Sequence, residues 1–294
     1  MQNSKLLEII TKAGKSHITI GHFNISDLEM LKAISHAAEK LNVPVIIGVS
    51  EGERKYLGVH HVADLITSYN KEHAKPGGYH LFLNADHTQS LEGVEEAAKL
   101  GFDAILFDGS KLPFEENIAQ TKQAVAIAKK INPDILVEGE IGNIGSGSAI
   151  RKEIPEGAAI RPEDLTKPEE ASLFIKETGV DLLAPAVGNI HGMFANAPEP
   201  RLDIERIRAI KKSSGVPLVL HGGSGNTDED FLAAIDAGIS IIHISTELRV
   251  AWRKGMERGL KEKPDEVAPY KLIEGSIDAM KKVLYNRLKL FSKL

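Results

Sequence analysis

Apolar residues in this chain fall into short continuous runs, separated by stretches in which they recur every third or fourth position. The runs are ITIGHFN (18–24), VPVIIGVS (43–50), HLFLNADH (80–87), DAILFDGS (103–110), ILVEGEIG (135–142), LLAPAVGN (182–189), VPLVLHGG (216–223) and ISIIHIST (239–246). Continuous runs of this length predict strands buried on both faces, as in a parallel sheet. Behind the cap residue Asp27, the positions Leu28, Leu31, Ile34, Ala38 and Leu41 have helical spacing. Further helices are predicted at 60–72, 91–100, 113–131, 168–178, from the cap Asp203 to 213, and at 228–237 and 247–260, with Gly101, Gly179 and Gly238 as closing residues. A short helix at 6–13 precedes the first strand, and a basic helical tail, 268–294, follows the last unit. Parallel neighbours require crossovers, and eight strand-then-helix units close a sheet on itself. The fold expected is therefore α/β, a (β/α)8 TIM barrel with an N-terminal helix and a C-terminal helical extension, in a single domain spanning 1–294. The Gly- and Pro-rich connection 143–166 reads as a lid or site wall, and 192–202 as a second elaborated loop.

In such a barrel the chemistry lies at the C-terminal ends of the strands. Three apolar runs close on a histidine there: His87, His191 and His221. Three protein ligands with a fourth position left open is the requirement of a catalytic zinc site. Asp86 stands beside His87, and where the backbone leaves the sheet both side chains can turn toward one cavity. A carboxylate there is either a helix cap or a proton carrier. Asn24, Ser50, Asp108, Glu140 and Thr246 occupy other strand ends. Asp108 and Glu140 read as partners of the histidines, as an alternative metal position, or as a buried pair satisfied within the barrel. The turn Gly222-Gly223-Ser224-Gly225, with Ser245 and Thr246, lies where barrels bind phosphate. His17, His36, His60, His61, His73 and His80 have no such placement and read as surface or core residues.

Composition narrows this picture. The formal net charge of −5 argues against a nucleic-acid or anionic-membrane surface. With no cysteine in the chain, any zinc must be held by His, Asp or Glu. The opening MQNSKLLEIITKAGK has no apolar core of signal-peptide length, so a cytoplasmic location is expected.

The ordered set NADHTQSLE, FDGSKLPFEENIAQT, VEGEIG, AVGNIHG, LVLHGGSG and ISTELR resembles the class II, zinc-dependent ketose-bisphosphate aldolases, the group containing fructose-1,6- and tagatose-1,6-bisphosphate aldolases. The resemblance runs from about Gly21 to Arg249. It implies a zinc ion on His87, His191 and His221, Asp86 as catalytic acid/base, and Asp108 and Glu140 as ligands of a second or displaced metal position. It further implies substrate contacts from Asn24 and Ser50, and phosphate-loop contacts from Gly192, Gly222, Ser224, Ser245 and Thr246. A monovalent cation (Na+ or K+) near those loops and a homodimer or homotetramer also follow from it. The activity implied is reversible cleavage of a ketose bisphosphate to dihydroxyacetone phosphate and an aldehyde.

Several positions depart from the family pattern. His243 stands where an Asn contacts substrate, Ala195 where a Lys is common, and Asn84 and Thr88 replace the His and Gly around the Asp-His pair. The loop after the fifth strand begins Asn143-Ile144-Gly145 rather than with acidic residues. His243 is read as a substrate contact, with a fourth metal ligand or a filler of the barrel mouth as its other readings. Ala195 and His243 favour an alternative, a divergent zinc aldolase or retro-aldol epimerase acting on another sugar or sugar acid. A non-catalytic sugar-phosphate binding protein is the remaining class.

Overall fold

The computed structural model describes residues 4–73, 79–145, 147, 149–152, 161–195 and 199–294. Helix α1 (Lys5–Lys15) precedes β1 (Ile20–Asn24), α2 (Leu28–Leu41) and β2 (Val45–Val49). Two helices, α3 (Glu51–Leu57) and α4 (Val59–Glu72), lead to β3 (Leu81–Thr88), α5 (Leu91–Lys99), β4 (Ala104–Phe107), α6 (Phe114–Ile131) and β5 (Leu136–Ile141). There follow β6 (Ile150–Arg151), α7 (Pro168–Thr178), β7 (Leu182–Pro185), β8 (Met193–Phe194), α8 (Ile204–Ser214), β9 (Leu218–Leu220) and α9 (Asp228–Ala237). The chain ends with β10 (Ile239–Ile244), α10 (Thr246–Glu262), α11 (Pro269–Leu272) and α12 (Glu274–Ser292).

Among the described residues a closed barrel runs in the order β1-β10-β9-β7-β5-β4-β3-β2, and every adjacent pair in it is parallel. This is the (β/α)8 architecture that the apolar runs predict. Local chemistry sets the helix ends. Asp27 accepts from the Met30 N–H at 2.7 Å and Thr227 from the Asp230 N–H at 3.1 Å, while Gly179 and Gly238 close α7 and α9 in the left-handed conformation.

Two features lie outside the sequence reading. Helix α3 forms in a stretch to which the sequence reading assigned no element, because Ser50 and Glu53 make a capping box and Gly58, at φ 86°, separates α3 from α4. The elaborated loops meet as a ribbon, β6 paired with β8, outside the barrel. Positions 146, 148 and 153–160 of the proposed lid and the loop positions 196–198 lie outside the described residues.

The interior of the barrel is graded along its axis. Strand residues alternate faces, and the inward positions nearest the strand starts, among them Ile20, Ile46, Phe82, Leu136, Val219 and Ile241, form one apolar cluster with Leu6, Ile10 and Ala13 of α1. Helix α1 therefore plugs the N-terminal end of the barrel. Two residues further along the same faces stand His22, Asn84, Glu138, His221 and His243, all buried. The outward positions, such as Phe23, Val45 and Ile105, pack under the surrounding helices.

Gly48 illustrates the fit inside the barrel. A Cβ added to it would lie 2.0 Å from Cε1 of His22, so the absent side chain is the space that this ring fills. Gly48→Ala is expected to destabilise by about 1–3 kcal/mol through overpacking. Gly52→Ala in α3, where an added Cβ meets nothing within 4 Å, should gain up to about 1 kcal/mol from helix propensity. Urea unfolding of both variants checks the pair, and equal shifts would contradict the packing described.

Candidate metal centre and active site

The strand ends surround a cavity of about 310 Å³. Asp86 and His87 both reach it, though not because β3 ends there: the strand continues to Thr88. His87 instead takes a positive φ of 44°, and the register against β4 shifts between Ala85 and Thr88. This bulge turns two sequence neighbours to one side, where a regular strand would separate them. A non-glycine residue in that region costs about 1–2 kcal/mol, and the surroundings hold it there. Arg54, buried, donates to the carbonyls of Val49 (2.8 Å) and Asp86 (3.2 Å) and to Oγ1 of Thr88 (3.0 Å).

The three histidine rings converge, with centroid separations of 4.8 Å (His87–His191), 5.0 Å (His87–His221) and 5.7 Å (His191–His221). Each has a partner on the nitrogen turned away from the others. His87 Nδ1 is 2.9 Å from Asp108 Oδ2, His191 Nδ1 is 3.0 Å from the Gly145 carbonyl, and His221 Nε2 is 2.8 Å from Glu138 Oε1. In the tautomers that donate those three N–H bonds, the inward nitrogens are bare. His87 Nε2 then faces His191 Nε2 at 3.2 Å, and His221 Nδ1 is buried without a partner. Bare imidazole nitrogens oriented by a carbonyl or carboxylate behind them are the donor set of a zinc-type site, and the residues present fit a divalent ion.

The charges agree with this reading. Burial pushes His87 down, but Asp86, the hydrogen bond to Asp108 and Glu140 together push it up to about 10. Burial, with His87 nearby, lowers His191 and His221 to about 3. Glu138 and Glu140 are raised well above the usual carboxylate range, mainly by burial. Burial pushes Asp86 up too, yet His87 and the hydrogen bond from Asn24 hold it well below that range. A protonated His87 thus supplies the positive charge that the surrounding carboxylates demand. His87, Asp108 and Glu140 also bring one potential ligand atom each within 4.8 Å of one another, and Glu140 Oε2, 3.7 Å from His87 Nδ1, has no hydrogen-bond partner.

Asp86 is held by one oxygen and bare at the other: Oδ2 accepts from Asn24 Nδ2 at 2.9 Å, while Oδ1 has no hydrogen-bond partner. That free oxygen lies 3.9 Å from His87 Nε2 and 3.7 Å from His243 Nδ1. His243 lines the cavity, stacked on His22 with centroids 3.4 Å apart and planes 4° from parallel. Parallel rings at that spacing direct their lone pairs side by side, so the group His22–Asp86–His243 does not converge on a shared ion although its atoms are close. The departures near β3 have partners: Asn84 Nδ2 is 3.1 Å from His22 Nε2, and Thr88 binds Arg54. Ala195 is exposed, and its N–H extends the ribbon to the Arg151 carbonyl at 2.9 Å.

Opposite Asp86 the wall suits an anion. Ser224 Oγ accepts from the N–H groups of Ser245 (3.2 Å) and Glu247 (3.3 Å) at the start of α10, which leaves its own O–H to donate into the cavity. Gly192 and Gly222, at φ 105° and 59°, let the backbones approach: a Cβ on Gly222 would lie 2.4 Å from the Ile190 carbonyl oxygen. Gly192, Gly222, Ser245, Thr246 and Ser50 also line the cavity, whereas Glu140 and His221 stand behind its surface. Sequence reasoning missed His22, Glu53, Arg54, Glu138 and Arg249. Period-two counting back from Asn24 and Glu140 points to His22 and Glu138, and the Ser50-x-x-Glu53 spacing marks Glu53. No local pattern marks Arg54 or Arg249.

Comparison with known proteins is consistent along the whole chain. Residues 4–293 match the family model described as fructose-bisphosphate aldolase class-II. The chain is 35% identical over 289 residues to the fructose-bisphosphate aldolase of Geobacillus stearothermophilus, covering 97% of this chain and 95% of that one. It is 34% identical to the probable fructose-bisphosphate aldolase of Bacillus subtilis, covering 97% and 96%. Among solved structures it resembles the YdjI aldolase of Escherichia coli K12, with a TM-score of 0.78, 30% identity and coverage of 98% and 96%. A putative fructose-1,6-bisphosphate aldolase from Coccidioides immitis gives a TM-score of 0.80 at 28% identity, with the same coverage.

Metal-stripped protein titrated with Zn2+ is expected to bind one tight ion per chain. Glu138→Ala, which removes the acceptor behind His221, should reduce that affinity by about 10- to 100-fold. Chelator competition measures both, and unchanged affinity in the variant would remove His221 from the ligand set.

Proposed function

The chain belongs to the class II fructose-bisphosphate aldolase family, and from that premise we propose that His87, His191 and His221 hold its divalent ion and that Asp86 is its acid/base. The protein is an aldehyde-lyase that reversibly cleaves a ketose bisphosphate to dihydroxyacetone phosphate and an aldehyde. One observation carries the residue assignment: bare, buried imidazole nitrogens meet beside a carboxylate oxygen that has no other partner.

Held by His87, His191 and His221, a divalent ion would supply Lewis-acid polarisation of the ketose carbonyl. The rest of the chemistry falls to side chains of the chain itself. As the C3–C4 bond breaks, Asp86 Oδ1 takes the proton of the C4 hydroxyl, C4 becomes the aldehyde carbon, and the electron pair left on C3 takes up a proton to give dihydroxyacetone phosphate, so that no net proton is gained or lost. In condensation Asp86 returns that proton. Its depressed pKa keeps Asp86 ionised, and Asn24 fixes its other oxygen. Ser224, Ser245, Thr246 and the glycine turns at 192 and 222 hold a phosphate of the substrate. Asn24, Ser50 and His243 contact its hydroxyls.

Zinc is the ion that best suits three imidazoles in a chain without cysteine. Asp108 and Glu140, with His87, form its second or displaced position. The family resemblance adds a Na+ or K+ ion near the phosphate loops and a homodimer or homotetramer of this one-domain chain. No helix among the described residues is long and apolar enough to cross a membrane, and we place the enzyme in the cytoplasm.

The purified protein is expected to cleave fructose or tagatose 1,6-bisphosphate, to lose turnover on chelation and to regain it with Zn2+. Asp86→Asn should lower kcat by about 10²- to 10⁴-fold with metal content unchanged. Chelator-insensitive turnover, or an active Asp86→Asn variant, would overturn the assignment.

A further inference from the structure

Glu53 is 7% exposed and sits at a junction that the reaction as described does not use. Its Oε2 accepts from the Ser50 N–H at 2.8 Å, from Ser50 Oγ at 2.9 Å and from Asn24 Nδ2 at 3.1 Å. Its Oε1 pairs with Nη2 of Arg249, which lines the cavity. Asn24 Nδ2 also donates to Asp86 Oδ2 at 2.9 Å. A primary amide has two N–H bonds, so both of Asn24's are committed to carboxylates. Turning the amide over would point its carbonyl at two acids, and its orientation is therefore locked.

We propose that Glu53 is a positioning residue for Asp86, acting through Asn24, and that it fixes the hydrogen-bonding character of this wall of the cavity. The proposal rests on the reading of Asp86 as acid/base. With both N–H bonds spent, Asn24 presents only its carbonyl oxygen to a ligand. Ser50, whose O–H is donated to Glu53, presents lone pairs. This wall accepts hydrogen bonds from substrate hydroxyl groups, whereas Ser224, whose oxygen already accepts from the Ser245 and Glu247 N–H groups, turns its O–H donor to the cavity. The two walls give the substrate a direction: polyol against Asn24 and Ser50, phosphate against Ser224 and α10.

The competing explanation is that Glu53 only caps α3, being the third residue after Ser50. Removal and conservative replacement separate the two. Glu53→Ala deletes the acceptor, and Arg249, which is about one-third exposed, can turn to solvent. Glu53→Gln keeps one acceptor oxygen for Ser50 and Asn24. In zinc-loaded enzyme assayed on the better of the two bisphosphates, Glu53→Ala is expected to lower kcat by about 10- to 100-fold, the penalty of a misplaced catalytic group, with KM changed by less than about threefold. Glu53→Gln should restore most of that loss, and Glu53→Ala combined with Asn24→Ala should be no slower than Asn24→Ala alone. Where Glu53→Ala does not fold, Glu53→Met, of similar volume, replaces it. A Glu53→Ala enzyme with normal kcat, or losses that add in the double variant, would overturn the proposal. Absence of turnover by the wild type would instead defeat the functional reading. A crystal structure of the Glu53 variant then decides the positioning claim: an Asn24 amide moved off Asp86 supports it, and an unchanged contact at 2.9 Å overturns it.

Discussion

The nitrogens of His87 and His191 that meet at 3.2 Å are the contact on which the architecture turns. With each ring's other nitrogen donating outward, two lone pairs face each other across a gap too short for a water molecule, and a positive charge must stand with them. A proton on His87 meets that demand, and in the enzyme as proposed a divalent ion would take its place. The surrounding groups serve the same need. Asp108, Glu138 and the Gly145 carbonyl orient the rings from behind, and buried carboxylates supply the negative field.

Assembling that contact bends the frame. Asp86 and His87 can share a cavity only because β3 bulges and His87 takes a left-handed backbone. Arg54 keeps this distortion in place through donors to β2 and β3 at once. The strain and its support lie within β2, β3 and β4; elsewhere in the barrel the register shifts between Ile239 and Ile241 of β10 against β9, while pairs such as β1–β10, β2–β3 and β5–β7 keep regular parallel register.

Much of this was legible in the sequence. Apolar runs closing on histidine and glycine marked the strands and their functional ends, because a strand buried on both faces leaves polar residues only where it exits the sheet. Three remote histidines could be assigned to one place since closure of the barrel brings every strand end to the same mouth. Less legible was anything that depends on contacts between turns. Arg54 belongs to a helix that the pattern did not predict, and two of its three partners are backbone carbonyls, which carry no residue signature. His22 and Glu138 were hidden inside strands that read as simply apolar, although counting by twos from Asn24 and Glu140 would have exposed them. The bulge at His87 left no trace, for nothing in the pattern Asn-Ala-Asp-His-Thr demands a positive φ.

The plug formed by α1 has a consequence for the whole molecule. Leu6, Ile10 and Ala13 seal the end of the barrel opposite the mouth, which makes the interior a vessel with one opening. Solvent reaches the column of polar groups beneath the strand ends only from that mouth. A sugar held there, as proposed, would stopper the vessel and shelter the fragment left after cleavage from stray water.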